Sequence, residues 1–174
     1  DDDFRVVGVA LDDTYATAYG YDDDGALVFA GDLALNRDAA TGFLTNTVVG
    51  NVADTRAFNG FGEIADYAVT ASASPLYTAT YTRDALGRVA SQTEKLGGTT
   101  TEKAYAYDVR GRLASVKTDG VVTEWYAYDR NGNRTNSMNG AAVYDAQDRL
   151  LANASTTFAY DLNGSLTNRQ PTAY

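Results

Sequence analysis

Nine residues, Tyr105-Ala-Tyr-Asp108-Val-Arg-Gly111-Arg-Leu113, recur in variant form along the chain, and such a repeat limits the possible folds more than composition does. Tyr105 and Tyr107, two residues apart, share one face of a strand, and Ala106 points to the other. Asp108 then opens a turn. A type I turn favours Asp at its first position and Gly at its fourth, where a left-handed glycine closes a hairpin with a bulge. Arg112 and Leu113 begin the return strand on opposite faces. The nine residues therefore encode strand, turn and strand.

With the turn Asp as marker, the copies stand at Asp22, Asn59, Asp84, Asp108, Asp129, Asp145 and Asp161. The turn glycines are Gly25, Gly62, Gly87, Gly111, Gly132 and Gly164, and the copy at Asp145 lacks one. Markers are separated by 37, 25, 24, 21, 16 and 16 residues. The first gap holds two repeats if Asp38 is a marker, although Gly42 arrives one residue late and requires a longer turn. This gives eight repeats, one of them degenerate. Between them lies a second kind of turn signal, at Gly97-Gly98, Asp119-Gly120, Asn139-Gly140 and, more weakly, Asn153-Ala154, the dipeptides of tight two-residue hairpins. Each repeat is then two strands in a meander, and no stretch offers a helix. The least regular connection is expected near residues 64–76, where Pro75 favours an edge or loop. The expectation is one repeat segment over residues 1–174, with no separate second domain.

The faces of these strands are chemically distinct. Three residues before the marker stand Tyr19, Tyr81, Tyr105, Tyr126 and Phe158; one before it stand Tyr21, Phe58, Tyr107, Tyr128, Tyr144 and Tyr160. The intervening residues are mostly small. Aromatic residues aligned on neighbouring strands would form a ladder that sets the register, each pair contributing roughly 0.2 to 1 kcal/mol beyond burial. Leu27, Ile64, Val89, Leu113, Leu150 and Leu166 follow the turns as the expected first residues of return strands, while Arg134 breaks this pattern. Twist accumulates along such a meander, so the sheet must curl and keep two open edges. Neither end has the character of a cap, which points to a segment of a longer protein.

The chain has no Cys and no His, which removes disulfides, thiol chemistry, the usual general base and the commonest zinc ligand. Its net charge of −9 is concentrated at one end. Residues 1–66 carry thirteen acids against three arginines, −10, and the remainder carries +1. An acidic chain without a basic stripe argues against nucleic acid as a partner. No apolar run is long enough to span a membrane as a helix, and no signal peptide is visible ahead of DDDFRVVGV.

These motifs resemble those of the YD-repeat, or Rhs-repeat, proteins, whose hallmark is a Tyr-Asp pair followed by Gly-Arg-Leu. Here it stands as YDVRGRL, with YDAQDRL, YDRNGNR and YDLNGSL as variants, and the resemblance runs from AYGYDDDGAL to FAYDLNGSL. It implies an all-β fold in which tandem antiparallel hairpins form a curled, spiralling sheet, part of a larger hollow β-shell. In bacterial members such a shell encloses a C-terminal toxin-like cargo; in teneurins it belongs to a cell-surface adhesion receptor. The Asp-Pro self-cleavage segment of the bacterial members is absent from this sequence. What is implied is non-enzymatic wall, secreted or at the cell surface, whose partners are the rest of its own shell and an enclosed C-terminal domain. The alternative is an adhesion scaffold that contacts glycans or proteins. No cofactor is implied.

Candidates for chemistry are few. Asp22, Asp23 and Asp24, with Asp1 to Asp3 and Asp12-Asp13, could offer oxygens to Ca²⁺, or form a solvated acidic turn and edge. The recurring Asp is explained by its turn position, and a catalytic carboxylate would not be needed so many times. Arg88, Arg112 and Arg149 face either a lumen or partner, or pair on the surface at little gain. Trp125 points away from Tyr126, as inter-strand packing or as a platform for a sugar.

Overall fold

The structure, a computed structural model, describes residues 1–11 and 15–171. Asp12, Asp13 and the last three residues lie outside them. The described residues form strands and turns without a helix, so none is long and apolar enough to cross a membrane. In chain order the strands are β1 (Gly8–Leu11), β2 (Tyr15–Tyr21), β3 (Leu27–Ala30), β4 (Leu33–Arg37), β5 (Leu44–Val49) and β6 (Val52–Phe58). They continue as β7 (Ile64–Ala71), β8 (Ser74–Arg83), β9 (Val89–Leu96), β10 (Thr99–Tyr107), β11 (Leu113–Thr118) and β12 (Val121–Tyr128). The last six are β13 (Arg134–Ser137), β14 (Gly140–Ala141), β15 (Val143–Tyr144), β16 (Leu150–Asn153), β17 (Thr156–Tyr160) and β18 (Leu166–Pro171).

Within each of two sheets, every strand pairs with the next in sequence. Strands β1 to β14 form one sheet in chain order, and β15 to β18 form a second. The expected return-strand residues Leu27, Ile64, Val89, Leu113, Leu150 and Leu166 each open a strand, and so does Arg134. The meander of antiparallel hairpins follows the sequence reading. Contacts divide the chain into two compact units, Asp1–Thr101 and Glu102–Tyr174, with the division inside β10.

The region near residues 64–76 corrects an expectation. Instead of an irregular connection it forms β7 and β8, which pair from Asp66↔Thr80 to Ala71↔Ser74. Pro75 sits at the second position of β8, opposite Thr70 and beside a register shift between Val69 and Thr70, where a missing N–H is tolerated. Two tight turns also move by one residue. Ser137 pairs with Gly140 and Asn153 with Thr156, so the loops are Met138-Asn139 and Ala154-Ser155. The reason is side-chain capping: Ser137 Oγ accepts from the Asn139 N–H at 3.2 Å, and Asn153 Oδ1 from the Ser155 N–H at 3.0 Å, which fixes both residues just before the loop.

The sheets are one layer thick. Among the described residues only Ala79, Val116 and Ser137 are buried, and no large side chain is fully buried. One face carries the tyrosines, arginines and turn carboxylates. The other carries small polar groups in cross-strand pairs, such as Asn36 to Asn46 at 2.8 Å, Thr80 to Asp66 at 2.9 Å and Thr82 with Ser91 at 2.6 Å. Small residues on that face have a cause: Gly20 lies under the cross-strand ring of Phe29, 1.9 Å from where a Cβ would stand. Trp125 is half-buried on this face, across from Ser115.

Candidate functional site

Along one rim, the predicted turns share one construction. At Asp108 the backbone N–H donates to the Arg112 carbonyl at 2.8 Å, and the Gly111 N–H to the Asp108 carbonyl at 2.9 Å. Oδ1 of Asp108 accepts from the Arg110 and Arg112 N–H groups, both at 2.9 Å, and Oδ2 from Arg112 Nε at 2.7 Å. Gly111 has φ +80°, the left-handed region, and the strand register shifts between Ala106 and Tyr107, as a bulge requires. The same backbone and Oδ1 bonds recur at Asp22, Asn59, Asp84, Asp129, Asp145 and Asp161. Positive φ recurs at Gly25, Gly62, Gly87, Gly132 and Gly164, and in the glycine-less copy Asp148 takes the position at φ +61°. At Asp38 the closing bond reaches Phe43 rather than the fourth residue on, so that turn is one residue longer, as read from the sequence.

A ninth turn of this kind escaped the sequence reading. Asp1 Oδ1 accepts from the Arg5 N–H at 2.8 Å, Asp1 Oδ2 pairs with Arg5 Nε at 2.8 Å, and Phe4 holds φ +60°. The signal was Asp followed four residues later by Arg and then Val. It was hidden because Phe replaces the glycine and the acidic run invited an electrostatic reading.

The carboxylates are occupied by these bonds. Hydrogen bonds from the following N–H groups and the paired side chain hold Asp84, Asp108, Asp129 and Asp145 below the usual carboxylate range, led by the Arg88 side chain at Asp84, the Arg112 N–H at Asp108, the Asn133 side chain at Asp129 and the Arg149 N–H at Asp145. Asp22 Oδ1 is taken by the Asp24 and Ala26 N–H groups, and among the described residues no group of three acidic side chains comes together.

The aromatic ladder is also different from a stack of rings. Successive markers are two strands apart, roughly 9.5 Å, beyond ring contact. An arginine fills the gap. Arg112 lies over the Tyr128 ring, 4.4 Å from its centroid, and the Tyr128 hydroxyl donates to the Leu113 carbonyl at 2.8 Å. Arg149 and Tyr160 repeat this at 5.1 Å, with a bond to the Leu150 carbonyl at 3.0 Å; Arg5 and Tyr21 repeat it at 4.9 Å, with the Val6 carbonyl at 2.9 Å. Tyr144 donates to the Arg134 carbonyl at 3.3 Å. Phe58 does stack on a ring, that of Phe43, at 4.9 Å. Arg112 also donates to the Asp129 carbonyl at 3.1 Å, so it is held by a carboxylate, a ring and a carbonyl rather than by a lone surface pair.

One junction uses other chemistry. Asn59 replaces Asp, and its Nδ2 donates to Glu63 Oε2 at 2.8 Å. Arg83 stands where a tyrosine usually precedes the marker and pairs with Glu63 at 3.1 Å. Beside it the turns at Asn59 and Asp84 bound an open groove of about 750 Å³, rimmed by the exposed Phe61 and Leu86.

Comparisons agree with this geometry. A family model described as teneurin YD-shell matches residues 1–174. Teneurin-3 of Mus musculus and teneurin-3 of Danio rerio are each 32% identical over 123 residues, 66% of this chain, which spans 4% and 5% of their respective lengths. In fold, the chain is similar to a Photorhabdus luminescens Tc holotoxin pore, with a TM-score of 0.65 at 18% identity over 90% of this chain and 10% of that one. Tandem Asp turns joining the strands of single-layer antiparallel sheets are what this similarity rests on, and the chain belongs to the teneurin YD-shell family.

Proposed function

We propose that this chain is structural, non-enzymatic wall: one stretch of a secreted or cell-surface YD β-shell that encloses or carries a C-terminal cargo encoded outside it. The observation that supports this most is the single-layer sheet. A domain that works alone hides a core between layers, and this sheet leaves Phe29, Val49, Leu96 and Val121 exposed. In a shell, such faces meet enclosed chain or further turns of wall. The motif itself is spent on holding hairpins together, which is what a wall needs. The similarity to a toxin-complex component supports the shell fold, and enclosure is the reading placed on it.

The test is protease protection in the complete open reading frame that contains these repeats. With the repeats intact, a C-terminal passenger should resist protease until the shell is opened. Equal digestion with the repeats deleted or intact would overturn enclosure. The identity to teneurin-3 favours a second reading, an adhesion scaffold, in which the groove rimmed by Phe61 and Leu86 would be a contact surface for a protein or glycan. Glycan-array or cell-binding signal that disappears with Phe61→Ser and Leu86→Ser, while folding is kept, would select it.

A further inference from the structure

Each tight hairpin is closed at one end by its two-residue loop, and at its other end two positions face each other. One is the residue that closes an Asp turn; the other immediately precedes the next Asp. At these positions Arg5 faces Tyr21, Phe43 faces Phe58, Glu63 faces Arg83, Arg112 faces Tyr128 and Arg149 faces Tyr160. Three chemistries are therefore used: a cation on a ring, ring on ring, and an ion pair. Each is complementary within its pair, and some exchanges between pairs are not. Arg112 opposite Arg83 would bring two guanidiniums together, and Glu63 opposite Phe58 would set a carboxylate against a ring with no donor.

We infer that these facing pairs are latches that fix the register in which each hairpin closes. The backbone alone cannot supply this discrimination, because the repeats are nearly alike and an antiparallel ladder can slip by two residues without moving any side chain to the other face. The β7–β8 hairpin shows the need most clearly. Its loop, Ser72-Ala73, puts two non-glycine residues at φ +49° and +62°, the weakest loop chemistry for this geometry, and its latch is the ion pair. Arg83 is aimed at Glu63 by two further bonds, to the Gly87 carbonyl at 3.1 Å and the Ile64 carbonyl at 3.2 Å. This role is independent of whether the shell encloses anything.

The experiment converts one latch into another in the intact chain. Glu63→Arg alone opposes two arginines, and Arg83→Tyr alone removes the ion pair. Together they rebuild the Arg-on-Tyr latch found at Arg112 and Tyr128. Register is read by disulfide trapping, which the absence of native cysteine makes clean. Ala68→Cys with Thr78→Cys reports the native register, in which those residues are partners, and Ala68→Cys with Thr80→Cys reports a two-residue slip. The expected result is native trapping in the parent, slipped trapping and a melting midpoint several degrees lower in Glu63→Arg, and return to native trapping and most of the midpoint in the double variant. If Glu63→Arg fails to fold, folding of the double variant is the same result. Native trapping in every variant, additive effects of the two substitutions, or a double variant no better than Glu63→Arg would overturn the inference.

Discussion

The two rims of the sheet solve the same problem, reversing a strand, in different ways. On the Asp-turn rim a side chain organises the loop: one carboxylate accepts from two N–H groups and the flanking arginine, as at Asp145, where the bonds are 2.9, 3.0 and 2.7 Å. On the tight-turn rim, apart from the two loops capped by Ser137 and Asn153, the loop is set by backbone conformation, as at Asp119-Gly120 with φ +51° and +83°. A turn fixed by a side chain can lose its glycine. Phe4 and Asp148 hold the left-handed position at two Asp turns because several bonds over-determine it. A turn fixed by backbone has less in reserve, and at Ser72-Ala73, where two non-glycine residues hold positive φ, the support comes from the Asn51 carbonyl, which accepts from the Ser72 N–H at 2.7 Å, and from the ion pair at the far end of the hairpin.

That comparison can be broken by substitution. Gly111→Val should destabilise by roughly 1–3 kcal/mol, through a branched residue forced to φ near +80°; an unchanged denaturation midpoint would remove the turn assignment. Tyr128→Phe leaves the Arg112 contact and deletes the bond to the Leu113 carbonyl, at about 0.5–1.5 kcal/mol in urea unfolding. If the loss were as large as for Tyr128→Ala, the hydroxyl would carry everything and the ring nothing. On the tight rim, Ala73→Gly should have the opposite sign, stabilising by about 0.5–1 kcal/mol because the strain at φ +62° is relieved. Destabilisation there would mean that the loop is not strained.

pH separates the rims as well. Asp84, Asp108, Asp129 and Asp145 titrate below the usual range in the folded chain, so their contribution is complete above the unfolded value near about 4 and is lost as pH falls through the lowered folded values. Asp108→Asn should flatten the acid limb of the stability curve while the turn survives, since Asn59 already holds an equivalent turn. The smallest effect lies at the alkaline end. Burial and the hydrogen bond to Glu94 push Tyr77 up to about 12, so its stabilising share persists below the unfolded value near about 10 and disappears as pH rises towards 12. Ultraviolet titration should show Tyr77 among the late phenols, with Tyr67 and Tyr126 also raised, and Glu94→Gln should bring Tyr77 earlier.

Turn chemistry and strand periodicity are local, and YAYDVRGRL carries both. The turns from Asp22 to Asp161, the alternation of two turn types, the longer turn at Asp38 and the residue that opens each return strand were legible for that reason, because each depends on atoms within a few bonds of one another. Pro75 and the one-residue shifts at Met138-Asn139 and Ala154-Ser155 were misread where a neighbouring strand or a capping side chain outweighed dipeptide preference. What only the tertiary structure decided is what faces what. A whole strand lies between one tyrosine and the next, so an arginine rather than another ring reaches it; and Glu63 meets Arg83 twenty residues on because a hairpin brings them to one rim. Those contacts depend on register, which is a property of paired strands and of no single stretch of chain.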